Sequence, residues 1–215
     1  MSPDLYLSRL LLDLRSRRVQ RELGDVYELH RTVMTGFANG CRRGGERVLY
    51  RVDALRGQPL AELLVQSVTE PDWGPLCSEG ARGYLVEGRA ENPGVKRFRP
   101  GFSEGQALVF RLRANSTVRR RGKRLGLCRE EHQLAWLRRK GEAAGFALLA
   151  VRVSQEEALH GTLYRAGVQH RLELASVRFD GYLRVMDPER LAATVASGIG
   201  PGKGFGFGLL SLARA

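Results

Sequence analysis

Three side chains near the start of the chain are close enough in the sequence to act together in acid–base chemistry. Tyr27, His30 and Arg31 supply a hydroxyl, an imidazole and a guanidinium within one short stretch. An imidazole transfers protons near neutral pH, and a guanidinium can stabilise negative charge that develops during a reaction. A single histidine is also common at the edge of a core, so the alternative is that His30 has only a structural role.

The helix that would position these side chains is predicted over residues 25–38. Asp25 can cap its N-terminus, with Glu28 as the reciprocal partner of a capping box. Its apolar face contains Val26, Leu29, Val33 and Phe37, which recur at helical spacing. His30 lies at the edge of that face, whereas Tyr27 and Arg31 lie on the more exposed flank.

A second feature is the stretch GIGPGKGFGFG, residues 198–208. It contains Gly198, Gly200, Gly202, Lys203, Gly204, Gly206 and Gly208. Glycine loses the most backbone entropy on ordering, so such a run is typical of places where a ligand or another backbone comes close. The alternative is a flexible linker, but apolar residues interrupt the glycines and an apolar run follows them.

The order of elements around these glycines argues against a nucleotide cofactor. Dinucleotide-binding and phosphate-binding loops connect a strand to a following helix. Here a predicted helix precedes the glycines and a predicted strand follows them. Lys203 is also followed by Gly204 rather than by the Ser or Thr of a phosphate-binding loop. We therefore expect no nucleotide cofactor.

The charge balance favours a nucleic-acid partner. The chain has 35 Lys and Arg against 23 Asp and Glu, a net charge of +12, and arginine, which grips phosphates in a bidentate manner, dominates. Residues 105–129 contain no acid, and a phosphate backbone could bind there, although charge runs are often solvated linkers. The basic residues of this run are Arg111, Arg113, Arg119, Arg120, Arg121, Lys123, Arg124 and Arg129.

Other classes of protein are not expected from this sequence. It has no apolar run long enough to span a membrane and no basic leader before its first apolar residues. The three cysteines are far apart and odd in number, which suits a reducing cytoplasm. The histidines and cysteines show no metal-ligand spacing, so neither a metal nor another cofactor is expected.

The predicted elements follow the same order in both halves of the chain. Strands are predicted at residues 5–14, 47–55, 60–69, 106–114, 146–153 and, as one long or two short strands, 160–179. Residues 15–21 are predicted as a basic loop and residues 71–105 as irregular. Ala166-Gly167 is predicted as a turn and Asp180-Gly181 as a hairpin turn. Helices are predicted at residues 130–144 and from Asp187 to Ser197. This order predicts an α+β protein of two tandem ferredoxin-like (βαββαβ) domains, residues 1–120 and 121–215.

The sequence resembles the CasE family of CRISPR repeat-RNA endoribonucleases, within the repeat-associated (RAMP) superfamily. The superfamily's motif is Gly-apolar-Gly, five residues, Gly-apolar-Gly, which residues 198–208 match together with the lysine. DVYELHRTVMTGF (25–37), LLVQSVTEPDW (63–73), LVFRLRANSTVRRRGKR (108–124) and VMDPERLAATVASGIGPGKGFGFGLLSLAR (185–214) also resemble the family. The resemblance spans nearly the whole chain.

The resemblance implies metal-independent cleavage of a CRISPR transcript at the base of the repeat stem-loop. A 2′,3′-cyclic phosphate and a 5′-hydroxyl would result, with His30 as general acid or base and Tyr27 as its companion. The protein would keep the cut RNA and join other subunits of the Cascade complex. The resemblance also implies a basic residue, often lysine, from the second half of the chain near the cleaved phosphate. This chain has no lysine between Lys140 and Lys203, so Arg165, His170 or Arg171 could take that role. The alternative function is a non-catalytic subunit that binds the RNA hairpin.

Overall fold

The strands form two four-stranded sheets and a separate two-stranded hairpin in a computed structural model of the chain. The structure describes residues 3–37, 47–88, 91–120, 122–165 and 168–215. Within these residues, no helix is both long and apolar enough to cross a membrane.

The first sheet contains the N-terminal strands. They are β1 (Leu5–Asp13), β2 (Leu49–Ala54), β3 (Leu60–Ser67) and β4 (Gly94–Phe98), in the order β2-β3-β1-β4. All neighbouring strands are antiparallel. The helices of this unit are α1 (Arg17–Gly24), α2 (Val26–Thr35) and the short α3 (Gly74–Cys77), which a 3₁₀ turn, Glu79–Ala81, follows.

The second sheet contains the remaining long strands. They are β5 (Ala107–Ala114), β8 (Phe146–Arg165), β9 (Val168–Val185) and β10 (Leu210–Arg214), in the order β10-β5-β9-β8. Strands β6 (Thr117–Arg120) and β7 (Lys123–Gly126) form the separate hairpin. The helices are α4 (Glu130–Ala144) and α5 (Pro188–Ser197), and a 3₁₀ turn, Lys203–Phe205, lies in the glycine stretch.

Both units have the ferredoxin-like strand order. If the four strands of each sheet are numbered 1 to 4 in chain order, both sheets have the strand order 4-1-3-2, and all neighbouring strands are antiparallel. A βαββαβ chain produces this arrangement. Two buried clusters fill the units, one around Leu10, Val33 and Tyr84 and the other around Trp136 and Phe179. The predicted α+β fold with two tandem ferredoxin-like domains is therefore confirmed.

The two sheets divide earlier in the chain than the predicted boundary near residue 120. Strand β5 pairs with β9 and β10 along its length, so it belongs to the second unit. The division falls between the end of β4 at Phe98 and the start of β5 at Ala107. A boundary at residue 120 would remove the first strand of the second sheet from its two partners.

Residues 15–21 are not the loop that the sequence predicted, because α1 begins at Arg17. Its buried residues are Val19 and Glu22. The Glu22 carboxylate accepts hydrogen bonds from Arg18, 2.9 Å away, and from the Tyr84 hydroxyl, 2.7 Å away. Because a buried, paired carboxylate replaces an apolar residue on the inner face, the apolar pattern of this helix is too sparse to see in the sequence.

Two further expectations about strands were wrong. Residues 71–105 contain β4, an edge strand with mostly exposed side chains that forms by pairing with β1. The Asp180-Gly181 pair is not a turn, because β9 runs straight through it. A Cβ on Gly181 would lie 2.0 Å from the Ala150 carbonyl oxygen, next to a bulge in β8, so this glycine permits a close approach of two strands. The turn predicted at Ala166 and Gly167 lies outside the described residues.

Candidate active site

Helix α2 begins where the sequence predicted. The Asp25 Oδ1 atom accepts hydrogen bonds from the backbone N–H groups of Tyr27, at 2.9 Å, and Glu28, at 3.4 Å, which are two of the donors that a helix leaves free at its start. Glu28 does not complete a capping box, because the Asp25 N–H donates to the Glu22 carbonyl at 3.4 Å; the Glu28 carboxylate accepts a hydrogen bond from Arg31 at 3.2 Å instead. Leu29 and Val33 pack into the first core and so fix the rotation of the helix.

His30 lies at the interface between α2 and the glycine stretch. A Cβ placed on Gly204 would lie 3.6 Å from the imidazole Cε1 and 3.8 Å from Nδ1. The ring of Phe205 meets the imidazole edge-on, with 6.1 Å between ring centroids. The second domain therefore supplies a cover for a histidine that belongs to the first domain.

This cover determines which nitrogen of His30 is available. The Nδ1 atom is buried and has no hydrogen-bond partner among the described residues, whereas the imidazole as a whole is only partly buried. Burial disfavours the charged form and lowers the pKa of His30 below its usual value of 6.5. The imidazole is therefore mostly neutral at pH 7, and Nε2 is the nitrogen that can accept a proton from a substrate.

Tyr27 and Arg31 have different positions relative to His30. Tyr27 precedes His30 by three residues, so the two side chains share one face of α2, and Tyr27 is partly buried. Arg31 is exposed and pairs with Glu28 on the outer flank of the helix. The structure thus places Tyr27 on the same face as His30, and it places Arg31 beside that face.

The glycine stretch is a fixed loop, because its ends are hydrogen-bonded to each other and to the second sheet. The Ile199 N–H donates to the Gly208 carbonyl and the Gly208 N–H donates to the Arg113 carbonyl, both at 2.9 Å. The Lys203 ammonium donates to the Ser197 carbonyl at 2.7 Å, at the C-terminus of α5. The loop is therefore held in place rather than a flexible linker.

The conformation of this loop explains most of its glycines. Five of the six have a positive φ, and Gly204 is the exception. At Gly208, with φ +87°, a Cβ would lie 2.7 Å from the Ile199 carbonyl oxygen, so both the backbone conformation and the packing require glycine. At Gly204 a Cβ would make only ordinary contacts, and the nearest atoms belong to His30.

One bond ties this loop to the first domain. The Tyr50 hydroxyl on β2 donates to the Gly204 carbonyl at 2.9 Å, although the two residues are 154 positions apart. Tyr50 is 1% exposed, and its burial raises the pKa of the phenol far above its usual value, so it stays a neutral donor. We did not predict this residue; its sequence position inside an apolar strand indicates only a core residue.

A basic groove of about 560 Å³ lies beside the loop. Arg119, Lys140 and Lys203 contribute its cationic side chains, and Gly200 contributes backbone. Burial, together with the charges of Arg47 and Lys140, lowers the pKa of Lys203. Gly200, Pro201 and Lys203 of the loop line the groove, and the next residue, Gly204, has His30 as its nearest neighbour, so one short loop connects the groove to the histidine.

Arg111 and Arg113 lie elsewhere, in a cleft of about 1020 Å³ between the two sheets. Arg113 forms two bonds to the Glu156 carboxylate, at 2.6 and 3.1 Å, and its side chain is 15% exposed. Arg111 donates to Asp180 at 2.5 Å. Both guanidinium groups therefore have acidic partners within the protein, and their predicted contact with RNA stays a prediction.

The remaining predicted basic residues are partly described. Arg119 and Arg120 on β6 are exposed, as is Arg171 on β9. Arg121 and the side chains of Lys123, Arg124 and Arg165 lie outside the described residues. Lys140 was not among the predicted site residues; the signal available in the sequence was its place in the run Arg138-Arg139-Lys140 on α4. Among the described residues, no group of three or more His, Cys, Asp and Glu is arranged to hold a metal ion.

Comparison with known proteins shows a consistent set of relatives. The family model of a CRISPR associated protein matches residues 5–214. The CRISPR-associated endoribonuclease Cse3 of Thermus thermophilus is 38% identical and covers 97% of this chain and 100% of its own length. The CRISPR system Cascade subunit CasE of Escherichia coli is 37% identical over 97% of this chain and 99% of its own. A structure of Thermus thermophilus Cse3 bound to an RNA representing a pre-cleavage complex superposes with a TM-score of 0.82 and 38% identity, covering 98% of this chain and 100% of that one.

Proposed function

The chain belongs to the family of CRISPR-associated proteins, and on this basis we propose that it is an endoribonuclease that cuts CRISPR precursor RNA at the base of the repeat hairpin. The observation that carries the proposal is the contact between His30 and the glycine loop, at Gly204 and Phe205. This contact brings the family's glycine motif onto a partly buried histidine, in a chain 38% identical to a named endoribonuclease over nearly its full length.

The reaction is an RNA transesterification that needs proton transfer but no metal. The 2′-oxygen upstream of the scissile phosphate attacks phosphorus as its proton passes to a base. The bond to the 5′-oxygen then breaks, and that oxygen takes a proton. The products are a 2′,3′-cyclic phosphate and a 5′-hydroxyl. We assign the base to Nε2 of His30, because burial keeps its imidazole neutral near pH 7.

Two neighbours on α2 support this chemistry. We propose Tyr27 as the companion group, since its hydroxyl lies on the same helix face as His30. We propose Arg31 as the source of positive charge for the phosphorane, a role in which its guanidinium would exchange the exposed Glu28 carboxylate for the phosphate. That exchange is inexpensive, because exposed ion pairs contribute little to stability.

The basic groove is the proposed site of the RNA backbone near the cut. Arg119, Lys140 and Lys203 line it, and Arg120 and Arg171 offer further exposed cations. We keep Arg121, Lys123, Arg124 and Arg165 as proposed RNA ligands from the sequence. Arg111 and Arg113 are the least available members of the set, because each would have to leave a carboxylate.

We also propose that the protein keeps the cut hairpin and assembles with other Cascade subunits, as the name of its E. coli relative indicates. We propose that the protein acts in the cytoplasm, because Cys77 and Cys128 are free and exposed and exposed thiols stay reduced in that compartment.

An assay with EDTA tests the proposed activity against the alternative of a non-catalytic hairpin-binding subunit. The wild-type protein is incubated with a repeat hairpin, and with the same hairpin carrying a 2′-deoxyribose upstream of the cleavage site. We expect the ribose hairpin to be cut to a cyclic phosphate and the deoxy hairpin to be bound but uncut. Tight binding of both without cleavage would identify the binding subunit instead.

A further inference from the structure

The hairpin of β8 and β9 extends well beyond the second sheet. Strand β5 pairs with β9 only up to Val177, whereas β8 and β9 continue to pair with each other as far as Arg165 and Val168. We call residues 157–165 and 168–176 the arm. An isolated two-stranded ribbon is at best marginally stable in water, so the arm needs a docking point. Its exposed His170 and Arg171 make it a surface that can face RNA.

The arm docks on the first turn of α2 through Asp25. The Oδ2 atom of this carboxylate accepts a hydrogen bond from the backbone N–H of Thr162 at 3.0 Å. Its Oδ1 atom accepts the helix-capping bonds described above. A single side chain therefore connects the start of α2 to a strand of the other domain.

Packing at the same point supports this connection. Gly161 is buried, and a Cβ there would lie 2.8 Å from Val26 Cγ2 and 3.3 Å from Asp25 Oδ1. Only glycine lets the arm approach the helix so closely. The hydrogen bond and the glycine contact involve consecutive residues of β8 and the first residues of α2, so they form one docking point.

We propose that Asp25 is a positioning residue, which docks the arm on the start of α2 and thereby fixes Tyr27 and His30 for RNA cleavage. This proposal rests on the proposed function for its effect on cleavage. A docked arm restrains the helix end nearest Tyr27, and His30 follows one turn later. Small displacements of reacting groups slow a reaction far more than they weaken binding.

The docking bond can be removed from either of its two sides. Because the Thr162 N–H points to Asp25, it points away from β9 and takes no part in the β8–β9 ladder. Strand β8 is also the edge of its sheet, where proline is tolerated. Thr162→Pro removes this donor and keeps the ladder, and its ring Cδ also displaces the Asp25 carboxylate that faced the N–H. Asp25→Asn removes the second acceptor and keeps the helix cap, since asparagine is also a good cap.

The test compares single-turnover cleavage of a repeat hairpin, hairpin affinity and amide exchange of the free protein. Each variant should cleave about tenfold more slowly and bind the hairpin within about twofold of wild type. The double variant should be no slower than either single variant, because both remove one bond. Amide exchange should rise in residues 26–30 in both variants and at Thr162 in Asp25→Asn, since proline leaves no amide hydrogen at position 162. His160→Pro, two residues earlier on the same side of β8, is the matched control and should cleave like wild type.

Several results would overturn the proposal. Cleavage at the wild-type rate by Thr162→Pro or by Asp25→Asn would do so, as would an equal loss in His160→Pro. Should Thr162→Pro not fold, Asp25→Asn decides alone. If the wild-type protein cuts no repeat hairpin, the proposed function fails, and amide exchange then judges the docking separately: unchanged exchange at the start of α2 in Asp25→Asn would refute it.

Discussion

Two glycines of the same loop should respond very differently to the same substitution. Gly208 has φ +87°, and a Cβ there would lie 2.7 Å from the Ile199 carbonyl oxygen. Gly204 does not have a positive φ, and its nearest neighbour would be His30 Cε1 at 3.6 Å, an ordinary contact. Gly208→Ala and Gly204→Ala therefore form a matched pair that differs in backbone strain and in steric conflict.

The expected magnitudes follow from these two environments. A non-glycine residue in the left-handed region costs roughly 1–3 kcal/mol, and the contact with a buried carbonyl adds a cost of similar size from overpacking, about 1–3 kcal/mol. We expect Gly208→Ala to lower the free energy of unfolding by about 2–6 kcal/mol. In Gly204→Ala, alanine reduces the conformational entropy of the unfolded chain, which stabilises the folded protein by about 0.4–1 kcal/mol. This gain offsets any small cost of the contact with His30, so the free energy of unfolding should hardly change.

Thermal unfolding measures this difference directly. For a chain of this size, each kcal/mol shifts the melting temperature by about 2–4 °C. Gly208→Ala should therefore melt about 4–24 °C lower than wild type, and Gly204→Ala within about 3 °C of it. Equal losses in the two variants would refute the assignment of strain to Gly208. A large loss in Gly204→Ala alone would show that the loop lies closer to His30 than the contacts indicate.

Three further predictions concern acid–base chemistry, the cleft and the groove. The cleavage rate should rise with pH to a plateau with a midpoint below 6.5, since burial lowers the pKa of His30 and only its neutral form accepts a proton; a midpoint above 6.5 in a pH–rate profile would contradict this. Glu156→Gln should lower the free energy of unfolding by about 1.5–3 kcal/mol, because Arg113 and Arg178 lose their shared carboxylate; denaturant unfolding should show it, and an unchanged midpoint would count against a structural role. Lys140→Ala should reduce the slope of hairpin affinity against salt concentration by about one; a slope equal to that of wild type would remove Lys140 from the RNA-binding groove.

The elements that the sequence predicted well are those whose signals are local. Asp25 and Asp187 cap α2 and α5 through bonds to residues two or three positions away, and Gly145 ends α4 with a positive φ. Such contacts involve neighbours in the chain, so residue types and spacing are enough to identify them.

The elements that the sequence did not predict depend on distant partners. Strand β4 exists because β1 offers it an edge, and Gly181 is a glycine because the backbone of β8 passes over it. The bond from Tyr50 to Gly204 and the bond from Thr162 to Asp25 join the two domains. No local pattern distinguishes such residues from ordinary core or strand residues.

The candidate site was likewise predictable only in part from the sequence. His30 and the glycine loop could be singled out from residue types and from the family resemblance, but their contact is a product of how the two domains pack. The basic run of residues 105–129 was treated as one surface, whereas Arg111 and Arg113 pair with carboxylates in the cleft and Arg119 lies in the groove beside the loop. Arg111 and Arg113 share one face of β5 in the second sheet, whereas Arg119 lies on β6 in the separate hairpin, so charge along the sequence does not predict which cations lie together.

The most direct test of the account is the single-turnover cleavage rate of His30→Ala against wild type, on a repeat hairpin in EDTA at pH 7. We predict that wild type cleaves, that His30→Ala cleaves about 100- to 10,000-fold more slowly, and that both bind the hairpin equally well. Equal cleavage by the two proteins would contradict the assignment of His30 as the catalytic base beneath the glycine loop.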